Sequence, residues 1–289
     1  MNGADTPREP GDLFEGWDWH DPDDLDRRFE RFTANVATFD ALEQVAPAVP
    51  RDRAGLRAAG ITGIEFAAFT TDHPQGLGTD LLSVHAKRSQ DAAGGRHGDS
   101  ADDGAVGSDG TDGLLVTRPG PLYRVDGRSL FTELDITEPL PFDDGCVDWV
   151  YAEHLIEHVP LPAALGWLKE VRRILSPGGL LRLTTPDLAV YIEGYGHGSF
   201  FAKHRRRLAK VGAGPLMPER RAFMLNQIFY HFGHRWIYDA EELRYVLGEA
   251  GFAVEKIAVC GFRTGSRSDI ADLDTSMRSD ESIYIEAFA

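Results

Sequence analysis

Apolar residues along the chain fall into short buried runs separated by stretches with helical spacing. Runs typical of buried strands occupy residues 61–69, 77–84, 122–125, 129–134, 146–152, 180–184, 253–259 and 282–288. Helical spacing predicts amphipathic helices over 161–175 and 239–250. Strands that alternate with helices predict a Rossmann-like α/β fold, a doubly wound and mostly parallel sheet. The last two strands lack a helix-length pattern between them, which predicts an antiparallel C-terminal strand.

Three further segments differ from this pattern. Residues 1–59 are predicted to form a helical N-terminal segment, because Leu25, Phe29, Phe32, Val36 and Phe39 recur at helical spacing. It is expected to pack on the main domain, with a lid or an oligomer contact as the alternative. Within the main domain of residues 60–289, residues 86–113 are rich in glycine and aspartate and are predicted to be a disordered insertion. Residues 188–236 are predicted to be a helical cap.

Composition limits the classes of function. The 289 residues carry a formal net charge of -16, which argues against a nucleic-acid partner or an anionic membrane surface. Two cysteines, Cys146 and Cys260, form neither a disulfide framework nor a metal knuckle, so a reducing compartment is expected. With no signal-like or membrane-length apolar run, a cytoplasmic protein is predicted, of undetermined oligomeric state.

Polar residues cluster where the predicted strands end. Asp135 precedes the turn Leu140-Pro141-Phe142, and the strand 146–152 runs into Glu153-His154. After the helix and the break Pro177-Gly178-Gly179, the next strand leads to Asp187. Open parallel sheets bind ligands at these strand ends. Together these residues resemble class I S-adenosylmethionine (SAM) dependent methyltransferases, in particular an uncharacterised predicted branch with a degenerate glycine-rich motif.

The resemblance implies SAM as cofactor and assigns it a set of contacts. Asp135 and Ile136 follow the third strand of the family, where an acid meets the adenine amino group. Asp80 closes the second strand, where the family's acid binds the ribose hydroxyls. Ala67 and Phe69 stand where the family has a Gly-x-Gly loop, and their side chains occupy space that glycine leaves open. A catalytically silent fold that acts as a binding or regulatory module is therefore the alternative function.

The same resemblance places Glu153 and His154 at the carboxyl edge of the sheet, facing the substrate. His154 is a candidate general base because an imidazole is the side chain suited to proton transfer near neutral pH, and a structural, helix-capping histidine is the alternative. His154, Glu157 and His158 also match the His-x-x-Glu-His pattern of zinc peptidases, which makes a zinc hydrolase a third hypothesis. Since this run leaves a buried strand and precedes prolines, no metal is expected.

The segment 230–239 is dense in aromatic and imidazole side chains, which commonly line pockets. His231, His234 and Arg235 are its candidate substrate-binding residues, with packing of the cap on the sheet as the alternative. The expected reaction is transfer of the SAM methyl group to an oxygen or nitrogen of a small-molecule or glycan-type acceptor.

Overall fold

The computed structural model describes residues 38–87, 114–197, 199–210 and 217–289. A nine-stranded sheet forms its centre, in the order β11-β12-β10-β9-β3-β4-β8-β7-β2, and β1, β5 and β6 form a separate three-stranded sheet. The strands are β1 (Thr38–Phe39), β2 (Leu42–Ala46), β3 (Gly63–Phe66), β4 (Gly76–Asp80), β5 (His85–Lys87), β6 (Leu114–Val116), β7 (Leu122–Val125), β8 (Ser129–Glu133), β9 (Val147–Glu153), β10 (Leu175–Pro186), β11 (Ala258–Cys260) and β12 (Ser282–Phe288).

The order of the strands creates a switch point beside β3. The chain passes from β3 to β4 and β8 on one side, then crosses back to β9 and β10 on the other side, and these five strands are parallel. Strand β12 runs antiparallel to both β10 and β11. The predicted Rossmann-like sheet with an antiparallel C-terminal strand is therefore confirmed. Ligands of such sheets bind at the carboxyl ends of the strands next to the switch point.

Three helices cover one face of the sheet, α1 (Arg53–Ala58), α2 (Leu161–Ile174) and α6 (Ala240–Glu249). Helix α2 is favoured by prolines in its first turn. At the start of α6, the Asp239 side chain accepts a hydrogen bond from the amide of Glu242. Their apolar faces are buried in the main core: Leu56, Trp167 and Leu247 join Ile64 and Phe66 of β3 and the apolar side chains of the neighbouring strands.

The C-terminal segment 261–281, rather than longer helices, covers the opposite face. The loop 67–75 between β3 and β4 consists of turns and bends, so it supplies no helix to this face. Instead the short helix α7 (Ser268–Ala271) packs Ile270 against Trp149 and Tyr151 of β9. Close to it, the buried Arg182 of β10 binds Asp274 of the covering segment.

Helices α3 (Leu188–Gly196), α4 (Phe200–Lys210) and α5 (Arg221–Tyr230) occupy the region predicted to be a helical cap. They share a small apolar cluster of their own, which includes Tyr191, Phe201 and Met224. Tyr191 is fully buried, and its hydroxyl binds Glu281 and His204. Side-chain contacts therefore join the cap to the segment that covers the sheet.

Two secondary-structure predictions were wrong in part. The end of the predicted helical N-terminal segment contains strands β1 and β2, and β2 pairs with β7 at the edge of the sheet. The run 253–259 includes a 3-10 turn, Val254–Lys256, before the short strand β11. In both places the apolar residues form short runs. Hydrophobic periodicity alone does not tell whether such a run is a helix, a turn or a strand. The stripe from Leu25 to Val36 and nearly all of the predicted insertion 86–113 lie outside the described residues.

Within the described ranges, no helix is both long and apolar enough to cross a bilayer.

Candidate active site

A cavity of about 160 Å³ lies at the carboxyl ends of β3, β4 and β8, beside the switch point. Its walls combine apolar side chains with two carboxylates and one imidazole. The lining residues are Phe66, Ala67, Thr79, Asp80, Leu81, Leu134, Asp135, Ile136, Thr137, Leu155, His158 and Val159. An apolar slot with a few polar groups is the usual form of a small-molecule site.

The loop after β3 reaches this cavity through a left-handed turn. Ala67 has φ of 56°, a conformation that glycine adopts more easily than alanine. The next amide, of Ala68, donates to the Thr79 carbonyl of β4 at 2.9 Å. A Cβ atom at Gly78 would come within 2.7 Å of the Ala68 carbonyl oxygen, so β4 needs glycine there. Gly78 thus allows the backbone of the loop after β3 to lie directly against β4.

The two carboxylates of the cavity are held by local backbone contacts. Asp80 Oδ1 accepts from the Leu82 amide at 2.9 Å, while burial raises the pKa of Asp80 to about 6. Asp135 Oδ1 accepts from the amide and the hydroxyl of Thr137 at 2.8 and 2.7 Å. Both side chains are half-buried and end neighbouring parallel strands. Each is oriented by its own turn, so both carboxylates face one cavity.

An imidazole and carboxylate cluster adjoins the cavity. A single 3-10 turn, Ile156–His158, carries Glu157 and His158, and His234 approaches from the loop after α5. Thr185 donates to Oε2 of the fully buried Glu157 at 2.8 Å, and the rings of His158 and His234 meet edge to face at 4.9 Å. Burial favours the neutral form of both imidazoles: it lowers the pKa of His158, and that of His234 to about 4.

The sequence matches the family described as "Methyltransferase domain" over residues 28–257, which is most of the chain. The chain belongs to this methyltransferase family. The predicted assignment to the class I SAM-dependent methyltransferase superfamily is thereby confirmed, and SAM is the cofactor of that superfamily.

A protein from Streptomyces fradiae, the "Uncharacterized 37.1 kDa protein in transposon TN4556", is 32% identical over 128 residues, which cover 38% of this chain and 36% of that protein. The methyltransferase chain thus spans about a third of this curated relative.

The chain also shows a distant similarity to solved structures, two of which are described as SAM-dependent methyltransferases. A SAM-dependent methyltransferase from Mesorhizobium loti shows 15% identity and a TM-score of 0.38, with 82% of this chain and 96% of that chain covered. One from Archaeoglobus fulgidus shows 12% identity and a TM-score of 0.38, with 82% and 92% covered. At these scores the family assignment rests on the sequence match alone.

The cavity of the methyltransferase fits part of SAM. Its two carboxylates accept hydrogen bonds, as ribose hydroxyls and an adenine amine require, and Phe66, Leu134 and Ile136 supply apolar walls. The volume of about 160 Å³ is below the roughly 300 Å³ at which ligand pockets begin. The cavity therefore has the polar and apolar groups that the nucleoside end of the cofactor requires, and a whole SAM molecule needs more space than this cavity supplies.

Four of the five residues predicted to bind the cofactor line the cavity, namely Ala67, Asp80, Asp135 and Ile136. Phe69 does not line it. Its ring packs 6.5 Å from that of Phe131 in a separate apolar cluster with Val84 and Tyr123. The left-handed turn at Ala67 redirects the chain, so Phe69 points away from the strand end.

Glu153 and His154 do not line the cavity, although the sequence predicted that they would face the substrate. The Glu153 carboxylate accepts from the Tyr151 hydroxyl at 3.0 Å and from the Thr275 hydroxyl at 2.8 Å. His154 is nearly buried, and its Nε2 lies 2.8 Å from Ser282 Oγ. Both side chains thus fasten the segment 274–282 to the end of β9, which agrees with the alternative of a structural histidine.

The predicted substrate residues of the loop 231–235 separate into three environments. His231 is buried, and its ring packs edge to face on Phe223 of the cap. His234 belongs to the cluster beside the cavity. The Arg235 side chain is exposed, while its amide donates to the Glu157 carbonyl at 2.6 Å. His234 is the member of this group nearest the cavity lining, through its contact with His158.

Sequence reasoning gave Glu157 and His158 no role beyond the zinc-peptidase pattern. That pattern needs an α-helix, but the structure places Glu157 and His158 in one 3-10 turn with His154 before it at φ of 50°. The available signal was the second Glu-His pair itself, which follows the preferred pair Glu153 and His154 by four positions.

Proposed function

We propose that this methyltransferase transfers the SAM methyl group to an oxygen or nitrogen of a small-molecule or glycan-type acceptor. When bound, SAM supplies a methyl group activated by a positive sulfonium, so the protein mainly has to position the reactants and help the acceptor lose a proton. The observation that carries the proposal is the pair Asp80 and Asp135, which line one cavity at the switch point.

Each lining residue has a task in this proposal. Asp80 would accept hydrogen bonds from the ribose hydroxyls, and Asp135 from the adenine amine through the oxygen that Thr137 leaves open. Ile136 would pack on the adenine ring. The backbone at Ala67, turned by its positive φ, would adjoin the methionine end.

The acceptor is expected on the side of the cavity formed by His158. This imidazole lines the cavity and belongs to the cluster with Glu157 and His234. That cluster, rather than Glu153 and His154, is the place where an acceptor oxygen or nitrogen would meet polar groups. The acceptor would enter between the sheet and the cap, since α5 leads directly into the loop that carries His234.

The proposal is tested by calorimetric titration of the purified protein with SAM and with S-adenosylhomocysteine. Micromolar binding is expected, and Asp135→Ala should weaken it by about 1 to 3 kcal/mol, the range for a buried donor left unpaired. Glu138→Ala is the matched control, because Glu138 is an exposed acid of the same turn that does not line the cavity.

Each adverse result has a different meaning. Equal affinities of wild type and Asp135→Ala would show that the cofactor binds elsewhere. Lack of binding by the folded wild type would support the catalytically silent module, in which the cavity with Ala67 in place of glycine holds no cofactor. In that case Ala67→Gly is the variant to titrate next, since it removes the side chain at the methionine end.

A further inference from the structure

The cluster beside the cavity contains lone pairs that lack a donor. His234 Nδ1 lies 2.7 Å from the Ile228 carbonyl oxygen, which can only accept, so Nδ1 carries the proton and Nε2 is a lone pair. Nε2 is buried and has no hydrogen-bond partner among the described residues. His158 hydrogen-bonds the Phe232 backbone, and its Nε2 lies 3.9 Å from Oε1 of Glu157.

The carboxylate of Glu157 also has an oxygen for which the described residues supply no hydrogen-bond donor. Glu157 is fully buried, and its Oε2 accepts from Thr185. Within the described part of the chain, Oε1 accepts no well-directed hydrogen bond. Nδ1 of His154 lies 3.1 Å from it, but Arg278 Nη1 lies 3.3 Å from that same nitrogen. With the Ser282 hydroxyl donating to the Arg278 carbonyl, His154 Nε2 is the donor to Ser282, and Arg278 Nη1 is the donor nearest to its Nδ1.

We propose that Glu157 Oε1, His158 Nε2 and His234 Nε2 bind a divalent first-row transition metal such as Mn²⁺, Co²⁺ or Zn²⁺. A bound cation would stabilise these converging lone pairs, because burying acceptors without a partner is unfavourable. Two imidazoles and one carboxylate suit this group of ions. This differs from the zinc-peptidase pattern, because His234 from a distant loop replaces His154 as a ligand.

The geometry of the cluster is close to that of a metal centre. The three ligand atoms lie within 4.8 Å of one another. Tetrahedral ligands about 2.1 Å from an ion are about 3.4 Å apart, so modest side-chain rotation closes the site. Nδ1 of His234 contacts the Ile228 carbonyl, and His158 hydrogen-bonds the backbone of Phe232. Such outer hydrogen bonds fix the tautomer and orientation of metal-binding histidines.

The ion would act on the acceptor, and this role, unlike metal binding itself, rests on the proposed function. His158 lines the cavity, so an open coordination position would lie beside it. A hydroxyl oxygen bound there loses its proton to solvent more readily. The O–CH₃ bond then forms as the CH₃–S bond breaks, and the electron pair stays on sulfur. The inference therefore favours a hydroxyl-bearing acceptor over an amine.

The test is metal binding by the full-length protein freed of metal with chelator, without SAM or acceptor. Titration with Co²⁺ should give one equivalent with visible d–d absorption, and calorimetry with Mn²⁺ and Zn²⁺ should give the same stoichiometry. Glu157→Gln preserves the size of the side chain and His234→Gln removes one ligand. Each should weaken binding more than about a hundredfold. His197→Gln, at an exposed histidine of the cap, should bind as wild type does.

The results that would contradict the metal site can be told apart from one another. Absence of one tight equivalent in a folded wild type, or equal binding by Glu157→Gln and wild type, would overturn the proposal. A protonated His154 in the metal-free protein, seen by NMR together with no metal binding, would show that a proton balances Glu157 instead. Because SAM titration is run separately with chelator present, loss of metal binding and loss of cofactor binding can be told apart.

Discussion

The guanidinium of Arg182 lies 2.6 Å from the Asp274 carboxylate, and both side chains are completely buried. A second buried acid, Glu286, lies 2.8 Å from the same guanidinium. The remaining donors of Arg182 reach the carbonyls of Thr264 and Gly261. One arginine thus fastens the segment 261–274 to strands β10 and β12, on the face of the sheet that lacks longer helices.

Asp274→Ala should lower the free energy of unfolding by about 3 to 5 kcal/mol, because it leaves Arg182 buried next to an empty position. Urea denaturation measures this change. The control is Glu43→Ala, which breaks an exposed pair with Arg124 and should cost less than about 1 kcal/mol. Similar midpoints for the two variants would show that the covering segment is not fastened through Arg182.

The buried imidazole of His204 makes stability depend on pH. Burial alone would lower its pKa, but Glu281 and Asp280 outweigh burial and raise the pKa to about 9. Their carboxylates lie 3.3 and 3.1 Å from its two nitrogens, and Tyr191 and Phe200 pack on the ring. Arg207 and Arg278 are the nearby cations, paired with Asp280 and Glu281.

The direction in which stability changes with pH follows from the raised pKa of His204. The folded protein holds a proton on His204 that the unfolded chain releases above about pH 6.5. The stabilisation is therefore complete below pH 6.5 and declines as pH rises toward 9, by on the order of 1 to 3 kcal/mol. Urea midpoints measured from pH 6 to 9.5 check this. In His204→Gln this decline should be absent, and a persisting slope would assign the effect to another group.

The sequence was sufficient to predict which polar residues lie at the ends of the strands. It was not sufficient to predict which side chains from other parts of the chain lie next to them. Asp80 and Asp135 were placed correctly beside one cavity because parallel strands bring their carboxyl ends to one edge. Phe69, Glu153 and His154 were not, since a positive φ at Ala67 and at His154 turns the chain away from the edge. Left-handed turns at residues other than glycine leave little trace in a sequence. The cluster at Glu157 depends on His234, which only the tertiary fold brings near.

The approach of β4 to the loop after β3 gives a sharp test of packing. Gly78→Ala would place a Cβ atom 2.7 Å from the Ala68 carbonyl oxygen, so the backbone of the loop after β3 would have to move. A loss of about 1 to 3 kcal/mol in stability is expected for this overpacking. Gly166→Ala, on the exposed side of α2 with open space around it, should instead add roughly 0.5 to 1 kcal/mol. Thermal unfolding of both variants distinguishes steric conflict from a general effect of alanine.

Cofactor affinity should depend on the protonation of Asp80. Burial, opposed in part by backbone hydrogen bonds from Leu82 and Leu81, raises its pKa to about 6 in the free protein. In the proposed binding mode the ribose hydroxyls donate to the Asp80 carboxylate, so binding favours the ionised form of Asp80 and competes with its protonation at low pH. SAM affinity should be constant near pH 8 and fall by up to about tenfold for each unit below pH 6. Calorimetry from pH 5 to 8 measures this, and Asp80→Asn separates it from the titration of SAM itself. The variant should bind more weakly at pH 8 and lose this part of the pH dependence. Parallel curves for wild type and Asp80→Asn would mean that Asp80 does not contact the cofactor.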